Sequence, residues 1–303
     1  MGAQLRLVRR RIRTVQSTAK ITRAQELIAS SRIIKAQQRV RAAAPYAREI
    51  TRAVEAVVSR SGHITHPLTA EPKDPARAAV LIMTSDRGFC GGYNANVLRE
   101  AQGLRALLEE GGVEPVPFVV GRKGIVWHRF RQREMTGEWS GFSDTPQPSD
   151  AADITAALLA AYDKPTAEGG VDEIHLVHTE FVSMLTQSPV ASRILPLQIE
   201  ETEGPPPGGP IPVYEFEPSP EEVLDGLLPQ YVESRLYQAL LDSAAAEIAA
   251  RRRAMKSATD NANDLIDQLT LEANKARQAE ITQEISEIVG GANALAETMA
   301  GSK

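Results

Sequence analysis

Residues 85–92 (SDRGFCGG) follow an apolar run. They combine three glycines with Ser, Asp, Arg and Cys, residue types that can take part in binding or catalysis. A glycine-rich turn after a first strand cradles phosphate groups in many nucleotide-binding proteins. Neither the G-x-G-x-x-G nor the G-x-x-x-x-G-K-[ST] spacing is present, however. A tight strand-to-helix turn built on Gly88, Gly91 and Gly92 is the simpler interpretation, because glycine permits a positive φ whatever the purpose.

Cysteine and histidine give no recognisable catalytic or metal site. Cys90 is the single cysteine, which excludes an internal disulfide and a multi-cysteine zinc cluster. No base accompanies it in a known pattern, so we interpret it as a small buried residue. His63 and His66 lie in a predicted loop, and His175 and His178 are three apart on a predicted strand, hence on opposite faces. We therefore expect no catalytic residue, no metal and no cofactor.

Charge is distributed unevenly along the chain. Residues 1–60 carry 14 Lys/Arg and 3 Asp/Glu, whereas the segment from Pro220 onward carries 8 Lys/Arg and 14 Asp/Glu. The basic runs Arg9–Arg11 and Arg251–Arg253 are of the kind that grip phosphate groups, although such runs on helices are usually solvated faces or ion-pair partners. The basic first segment suits nucleic acid, an anionic lipid surface or an acidic protein, and the acidic last segment is one such partner.

Two long helices are predicted at the ends, because Ala3–Ala44 and Gln230–Val289 contain no Gly and no Pro. Apolar or small residues recur in them at alternating steps of three and four, which is typical of a coiled coil. In the first segment these residues are Leu5, Val8, Ile12, Val15 and Ala19, with Ile21, Ala24 and Ile28 on a shifted stripe. In the last segment they are Met255, Ala258, Ala262, Leu265 and Leu269, then Ile281, Ile285, Ile288, Ala292, Leu295 and Met299. We predict an intramolecular antiparallel coiled coil whose longer C-terminal helix projects beyond its partner.

The middle of the chain alternates strands and helices, which predicts an α/β domain with a mainly parallel sheet. The predicted strands are Ala78–Thr84, Pro115–Gly121, Glu173–Phe181 and Val190–Ile199. The predicted helices are Asn94–Glu110, Ile125–Arg133 and Ala151–Tyr162, the last capped by Ser149. Pro45 predicts a kink in the first long helix, and Gly226 and Pro229 predict an interruption before the last one.

The fold class predicted from these patterns is α/β: a long antiparallel two-helix coiled coil formed by the N- and C-terminal segments, plus a central Rossmann-like domain. The predicted division has four parts: residues 1–60 as the N-terminal helix, 75–202 as the α/β domain, 203–217 as a linker, and 218–303 as the C-terminal helix. No apolar run approaches the ~18 residues of a membrane helix, and the N-terminus lacks the apolar stretch of a signal peptide. We expect no direct membrane insertion.

Five stretches, taken together and in order, resemble the gamma subunit of the bacterial F-type ATP synthase. They are Arg11–Thr22 (RIRTVQSTAKIT), Ser85–Asn94 (SDRGFCGGYN), Tyr231–Leu241 (YVESRLYQALL), Met255–Ala262 (MKSATDNA) and Lys275–Leu295 (KARQAEITQEISEIVGGANAL). The resemblance covers both ends and the first α/β unit, whereas 111–212 resembles the family mainly in its α/β pattern.

The resemblance implies a non-catalytic rotor shaft inside a ring of three alpha and three beta subunits. It also implies an α/β foot that binds the epsilon subunit and the membrane rotor ring of c subunits, on the cytoplasmic side of the cell membrane. Arg277 and Gln278 match positions that contact beta-subunit loops, and Lys20 and Arg23 match the basic part of the first helix near the moving beta regions. Gln25 stands where many members have Met, and the cysteine pair of redox-controlled chloroplast members is absent.

Two other functions remain open from the residues alone. The basic N-terminal segment is compatible with a nucleic-acid-binding coiled-coil protein, which predicts salt-dependent DNA or RNA binding by the isolated chain. The glycine turn is compatible with a nucleotide-binding α/β enzyme, which predicts nucleotide binding or turnover by the isolated chain. The resemblance implies no nucleic-acid partner and favours the rotor.

Overall fold

The computed structural model describes residues 2–60, 69, 72, 74–197, 217 and 219–300. In chain order the elements are α1 (Gly2–Arg60), β1 (Arg77–Met83), α2 (Tyr93–Glu110), β2 (Glu114–Val120), α3 (Arg122–Phe130), β3 (Gly137–Trp139), α4 (Pro148–Tyr162), a 3-10 turn (Thr166–Glu168), β4 (Glu173–Phe181), β5 (Gln187–Leu195) and α5 (Pro220–Ala300). They form two compact units, a two-helix unit (Met1–Ile28 with Arg253–Lys303) and an α/β unit (Ala29–Arg252).

In the two-helix unit, the start of α1 packs antiparallel against the C-terminal part of α5. Leu5 and Val8 cluster with Leu269 and Ala273. Farther along α1, Thr22 Oγ1 lies 2.7 Å from Thr259 Oγ1. Rising residue numbers on one helix thus meet falling numbers on the other, which confirms the predicted antiparallel pairing.

We call the row of side chains that are buried between the two helices the seam. On α1 the seam follows one helical phase from Leu5 to Glu26, so the predicted shift to a second stripe is wrong. Ile21, Ala24 and Ile28 are exposed, and the polar residues Thr22 and Glu26 are buried instead. These two residues continue the alternating three- and four-residue steps from Ala19, and this spacing keeps a side chain facing the partner helix. The position on the helix, and not the hydrophobicity of the side chain, therefore determines which residues of α1 face the partner helix here.

The seam of α5 differs from the prediction by one residue at two positions. Thr259 is buried where Ala258 was expected, and Ile266 is more buried than Leu265, which is 39% exposed. The predicted resumption of the seam at Ile281 is wrong as well, because every described side chain from Ile281 to Asn293 is exposed. The partner helix does not reach this part of α5.

Both long helices continue past the proline and glycine residues that were expected to disturb them. Pro45 lies inside the continuous α1, and Gly226 and Pro229 lie inside α5. A proline in a helix interior removes one hydrogen bond and costs about 3 kcal/mol. The neighbours Leu224 and Leu228 are fully buried, so packing of this first part of α5 offsets that cost. The predicted interruption before the long helix is therefore wrong.

In the α/β unit, five described strands form one sheet in the order β3-β2-β1-β4-β5. The pairs β1–β2, β1–β4 and β2–β3 are parallel, and β4–β5 is an antiparallel hairpin. The chain moves from β1 to one side through β2 and β3, then crosses to the other side of β1 at β4. The gap between the carboxyl ends of β1 and β4 is the place where open α/β sheets usually bind ligands.

Alternate residues of β1 point into two separate cores, as expected for a strand buried on both faces. Ala79, Leu81 and Met83 pack with α4 and with residues of α1 and α5 that belong to this unit. Val80 and Ile82 pack with α2 on the opposite face. The sheet is thus covered on both sides, and the predicted fold class is confirmed.

The observed bounds of β4 equal the predicted ones, and those of the other predicted elements differ by one or more residues at one or both ends. The short edge strand β3 was not predicted, and α3 ends at Phe130 rather than Arg133. The residue that caps α4 is Gln147, and Ser149 lies inside the helix. The last strand begins earlier than expected, at Gln187, and the predicted linker 203–217 lies outside the described residues except for Glu217.

Candidate functional site

The described end of α5 loses its partner helix just before the two residues singled out from the resemblance. Among the residues whose burial is described, Ala273 is the last buried one, and Ala276 is the last that packs against the cluster of Leu5, Val8 and Leu269. Arg277 and Gln278 follow directly, with exposed side chains. Within the described part of the chain, Arg277 forms no ion pair, so its guanidinium is available to another molecule.

Beyond these residues α5 exposes an apolar stripe. Ile281, Ile285 and Ile288 are 45%, 56% and 72% exposed, and their steps of four and three place them on one helix face. Val289 beside them is 53% exposed. A contiguous apolar face on a single helix is typical of a surface that another protein covers.

Lys20 and Arg23 lie on α1, at a different level of the two-helix unit. Both side chains are exposed, and Arg23 Nη1 lies 2.8 Å from Glu26 Oε2 in the seam. They are close in sequence to Thr22, which meets Thr259. Thr259 and Gln278 are separated along α5 by roughly 28 Å at ~1.5 Å per residue. The four predicted contact residues thus form two groups and no single site.

The carboxyl ends of β1, β2 and β3, on the side of β1 away from β4, are joined by the chain's own groups. The Asp86 carboxylate accepts hydrogen bonds from the backbone N–H groups of Arg122 (3.1 Å), Gly141 (2.7 Å) and Ser143 (3.1 Å). Arg122 N–H belongs to the first turn of α3, which is the position that binds phosphate in nucleotide-binding proteins. A side-chain carboxylate therefore takes the place of a ligand anion there.

Close packing reinforces this arrangement at the end of β2. Thr84 Oγ1 donates to Val120 O at 2.8 Å and accepts from Gly124 N–H at 2.8 Å. Gly121 has φ +93°, and a Cβ there would lie 2.2 Å from Thr84 O. Only glycine fits this position, and no turn motif in the sequence marks it.

The glycine turn itself is held by α5. Arg251 Nη2 donates to Arg87 O at 3.3 Å and Arg251 Nε donates to Gly88 O at 3.4 Å. Of the three glycines only Gly91 has a positive φ, at 57°. Phe89 has a φ of 60° and is 80% exposed, an unusual combination for a bulky side chain. No pattern in the sequence indicates this strained, exposed phenylalanine.

A buried ion pair anchors Arg251. Its Nη2 lies 2.6 Å from Oε1 of Glu247, which is 1% exposed. Burial raises the pKa of Glu247, and the positive charge of Arg251 opposes that shift. Burial also raises the pKa of Tyr93, whose hydroxyl donates to Ser243 O at 3.3 Å. These groups connect the turn to α5 and leave no exposed acid–base pair among the described residues of the turn.

The remaining candidates have structural partners or lie outside the described residues. Cys90 is buried and accepts a hydrogen bond from Asn94 Nδ2 at 3.2 Å. His175 Nε2 lies 2.7 Å from Glu173 Oε2, and His178 is buried. His63 and His66 are not among the described residues, and no metal-binding group of three or more His, Cys, Asp or Glu occurs among those that are.

The two arginine runs have different surroundings. Arg9, Arg10 and Arg11 are all exposed on α1. In the second run, Arg251 is the anchor described above, and Arg252 Nε donates to Ser30 Oγ at 2.9 Å. At least the first two arginines of that run are therefore part of the packing of the α/β unit. In the part of the chain that the structure describes, no helix has both the length and the apolarity needed to cross a membrane.

The combination of an α/β sheet with two long terminal helices occurs in the rotor parts of solved ATP synthases. One chain of the Euglena gracilis mitochondrial ATP synthase rotor in rotational state 1 matches with a TM-score of 0.65 at 17% identity, covering 93% of this chain and 100% of that chain. A chain of the same organism's OSCP/F1/c-ring structure in rotational state 3 matches with a TM-score of 0.66 at 16% identity, covering 100% and 97%. The fold is thus shared with chains of these two ATP synthase structures.

Sequence comparison defines the family. A family model described as ATP synthase matches residues 4–295. The ATP synthase gamma chain of Acidothermus cellulolyticus is 61% identical over 98% of this chain and 99% of its own length. That of Thermobifida fusca is 58% identical over 100% of both. The chain belongs to the ATP synthase gamma chain family, whose role is that of a non-catalytic central stalk subunit. The predicted family and role are confirmed.

Proposed function

We propose that this chain is the rotating shaft that couples proton flow through a membrane sector to ATP synthesis or hydrolysis in a hexamer of three alpha and three beta subunits. The observation that carries the proposal is the end of α5, where Arg277 and Gln278 follow the last paired turn and Ile281, Ile285 and Ile288 remain exposed. A single helix of this kind fits inside a sleeve formed by other subunits.

The asymmetry of this shaft supplies the mechanism. A partner can shift a conformational equilibrium only by the difference between its contact energies with the two states. The apolar stripe occupies one face of α5, whereas the exposed polar residues Gln283 and Glu287 lie on the other side of the helix. The surrounding beta subunits therefore meet different groups at any one angle. Rotation then presents each surface to each beta subunit in turn, and changes its affinity for nucleotide.

The residue roles follow from the positions of the two groups. Arg277 and Gln278 contact beta-subunit loops near the end of the paired helices. Lys20 and Arg23 contact the moving beta regions at the other level, where the ion pair with Glu26 holds the Arg23 guanidinium in place. The charge-assisted hydrogen bonds that Arg277 can form are the strongest single contacts available to this end of α5.

The α/β unit serves as the foot. Residues 75–202 bind the epsilon subunit and the ring of c subunits, and the turn of Gly88, Gly91 and Gly92 is structural. This is supported by Asp86 and Arg251, which engage the groups that a nucleotide would need. The assembled chain lies at the cell membrane as a peripheral subunit on the cytoplasmic side.

Co-expression with alpha and beta subunits from the same genome tests the proposal. We expect one copy of this chain per three alpha–beta pairs in native mass measurements, and ATPase activity that depends on its presence. Folded alpha and beta subunits that assemble and turn over ATP without this chain would contradict the shaft function. Nucleic-acid binding by the basic N-terminal segment would then be measured next.

A paired variant tests the contact residues. Arg277→Ala with Gln278→Ala should reduce proton-driven ATP synthesis by at least about tenfold, because a charge-assisted hydrogen bond contributes about 1.5–3 kcal/mol. The matched control is Asn274→Ala with Lys275→Ala, which removes one amide and one cation from exposed positions on the same helix. Equal losses in both variants would show that these two side chains have no special role.

A further inference from the structure

A cavity of about 360 Å³ lies in the α/β unit, beside the glycine turn, whose Arg87 side chain contributes to its lining. Its charged lining comes from α1, from the turn after β1 and from the loop before α4: Arg32, Lys35, Arg39, Arg87 and Asp144. We call this the basic cavity. Its volume falls within the range of about 300–1,000 Å³ that is typical of small-molecule sites.

The charges of the basic cavity do not balance. Among the described residues of the lining Asp144 is the single acidic one, and its Oδ2 lies 2.8 Å from Arg32 Nη1 and 3.8 Å from Arg87 Nη1. Among the described residues, Lys35 and Arg39 form no ion pair. Two of the four cations thus share one carboxylate, and the described lining carries an excess of three positive charges. An anion bound in the cavity reduces the mutual repulsion of these charges.

The remaining wall of the cavity is apolar and rigid. Ala36, Leu241, Ala244 and Ile248 line it, and all four are buried in the packing of α1 against α5 within this unit. Two of the cations, Lys35 and Arg39, are one helical turn apart on α1 and so lie on the same face. The backbone that carries Lys35 and Arg39 is thus fixed by packing, while their side chains are exposed.

The shape and the lining favour a small anion over a long polymer. An extended nucleic acid needs a basic stripe with aromatic side chains for stacking, whereas this lining is concave and its described residues include no aromatic one. Two linked phosphate groups carry about three negative charges, which equals the excess in the cavity. Arginine also binds phosphate through two parallel hydrogen bonds, and two of the four cations are arginines that already lie beside a carboxylate.

We propose that the basic cavity binds a small anion with two linked phosphate groups, either free pyrophosphate or the diphosphate of a nucleotide. Lys35 and Arg39 bind the anion directly. Arg32 and Arg87 turn toward it from Asp144, whose carboxylate acts as a built-in competitor for the same guanidinium groups. This site is separate from the contacts proposed for α5, and its existence does not depend on them.

Calorimetric titration of the full-length chain with pyrophosphate tests the site. We expect saturable binding at one site per chain, and at least about tenfold weaker binding in Lys35→Gln with Arg39→Gln. The matched control is Arg41→Gln with Arg48→Gln, which removes two exposed cations from the same helix outside the cavity. This control should change the affinity by less than about twofold, because exposed charges outside the cavity are screened by salt.

A third variant gives a result that misfolding cannot imitate. Asp144→Asn removes the competing carboxylate and releases Arg32 and Arg87, so pyrophosphate should bind about threefold or more tightly. Titration with ADP then separates the two sources of the diphosphate, because binding tighter than that of pyrophosphate assigns the apolar wall to a nucleoside. Either result supports the diphosphate site.

Three results would overturn the proposal. The first is no saturable binding of pyrophosphate or ADP to the parent chain. The second is equal loss of affinity in the cavity variant and its matched control. The third is binding of a hexa-aspartate peptide as tight as that of pyrophosphate, which would mean that the lining recognises acidic protein segments by charge alone.

Discussion

The seam of the two-helix unit and the core of the α/β unit bury side chains in different ways. The core is thick, and large residues such as Leu81, Ile154 and Leu158 are completely inaccessible in it. The seam is one side chain wide, and its members Leu5 and Ala273 retain 9% exposure. The α/β unit therefore gains stability from a few large residues, whereas the two-helix unit gains it from many small contacts along its length.

Both regions accept polar side chains at buried positions, but in different arrangements. In the α/β unit the buried Glu247 pairs with Arg251 on the same helix, whereas in the seam the hydroxyl groups of Thr22 and Thr259 meet between two helices. A polar pair between the helices of a coiled coil fixes which residues face each other, at a cost in stability. The Thr22–Thr259 pair therefore specifies the register of the seam.

The largest expected difference between the regions comes from removing a large side chain. Leu81→Ala should destabilise the α/β unit by about 2–5 kcal/mol, because the central strand cannot close the resulting cavity. Urea unfolding followed by tryptophan fluorescence measures this, since Trp127 and Trp139 both lie in the α/β unit. The seam substitution Leu269→Ala, followed by helical circular dichroism, should cost less; a larger cost would contradict the comparison.

A pH-dependent loss of stability is expected in the α/β unit because of His178. Burial, with the nearby charge of Arg235, lowers the pKa of His178 to about 4, and within the described residues its Nδ1 has no hydrogen-bond partner. The unfolded chain takes up this proton near pH 6.5, before the folded chain does. Stability is therefore complete above that pH and is lost as pH falls toward 4, by about 2 kcal/mol between pH 7 and pH 5.

Comparing the parent chain with His178→Gln isolates this effect. Other buried groups contribute in the opposite direction, since burial raises the pKa values of Asp242 and Glu247 and favours the fold at lower pH. The difference in unfolding free energy between parent and variant should thus change by about 2 kcal/mol across this range. An unchanged difference would mean that the pKa of His178 is the same in the folded and the unfolded chain.

The sequence predicts correctly the elements that local patterns determine, and it fails where packing between distant residues decides. The helices and the strand Glu173–Phe181 follow from local patterns, because Gly, Pro and apolar runs determine them directly. The sequence-based prediction of the seam is wrong near Ile21, because the apolar Ile21 and Ile28 lie outside the seam and the polar Thr22 and Glu26 lie in it. The helix through Pro229 was mispredicted because packing of distant residues, which a local pattern does not contain, outweighs the proline.

The same limit applies to the candidate site. The end of α5 is recognisable from a stretch of sequence, and its exposure follows simply from the greater length of α5. The charged residues of the basic cavity come from α1, from the turn after β1 and from the loop before α4, and the ion-paired Arg32 and Asp144 are 112 positions apart. No spacing along the chain indicates such a group, so only the folded chain shows it.

A smaller effect is expected from the polar pair of the seam. Thr22→Val alone should cost about 1 kcal/mol, because it leaves the Thr259 hydroxyl without its partner across the seam. Thr22→Val with Thr259→Val should cost less than the sum of the single changes, since two apolar groups then face each other. Helical circular dichroism in urea measures all three variants. Additive costs would show that the two hydroxyl groups, 2.7 Å apart, do not stabilise each other.

The smallest expected effect distinguishes the observed seam from the one that hydrophobicity favours. Ile21 is 61% exposed, so Ile21→Gln should change the stability of the two-helix unit by less than about 0.5 kcal/mol. Ala19→Gln at the neighbouring seam position, which is 8% exposed, should cost several times more because a long polar side chain must enter the helix interface. Helical circular dichroism in urea measures both variants, and a reversed order would place Ile21 in the seam. If Ile21→Gln costs less than Ala19→Gln, Ile21 lies outside the seam and its apolar side chain is available for contact with another subunit.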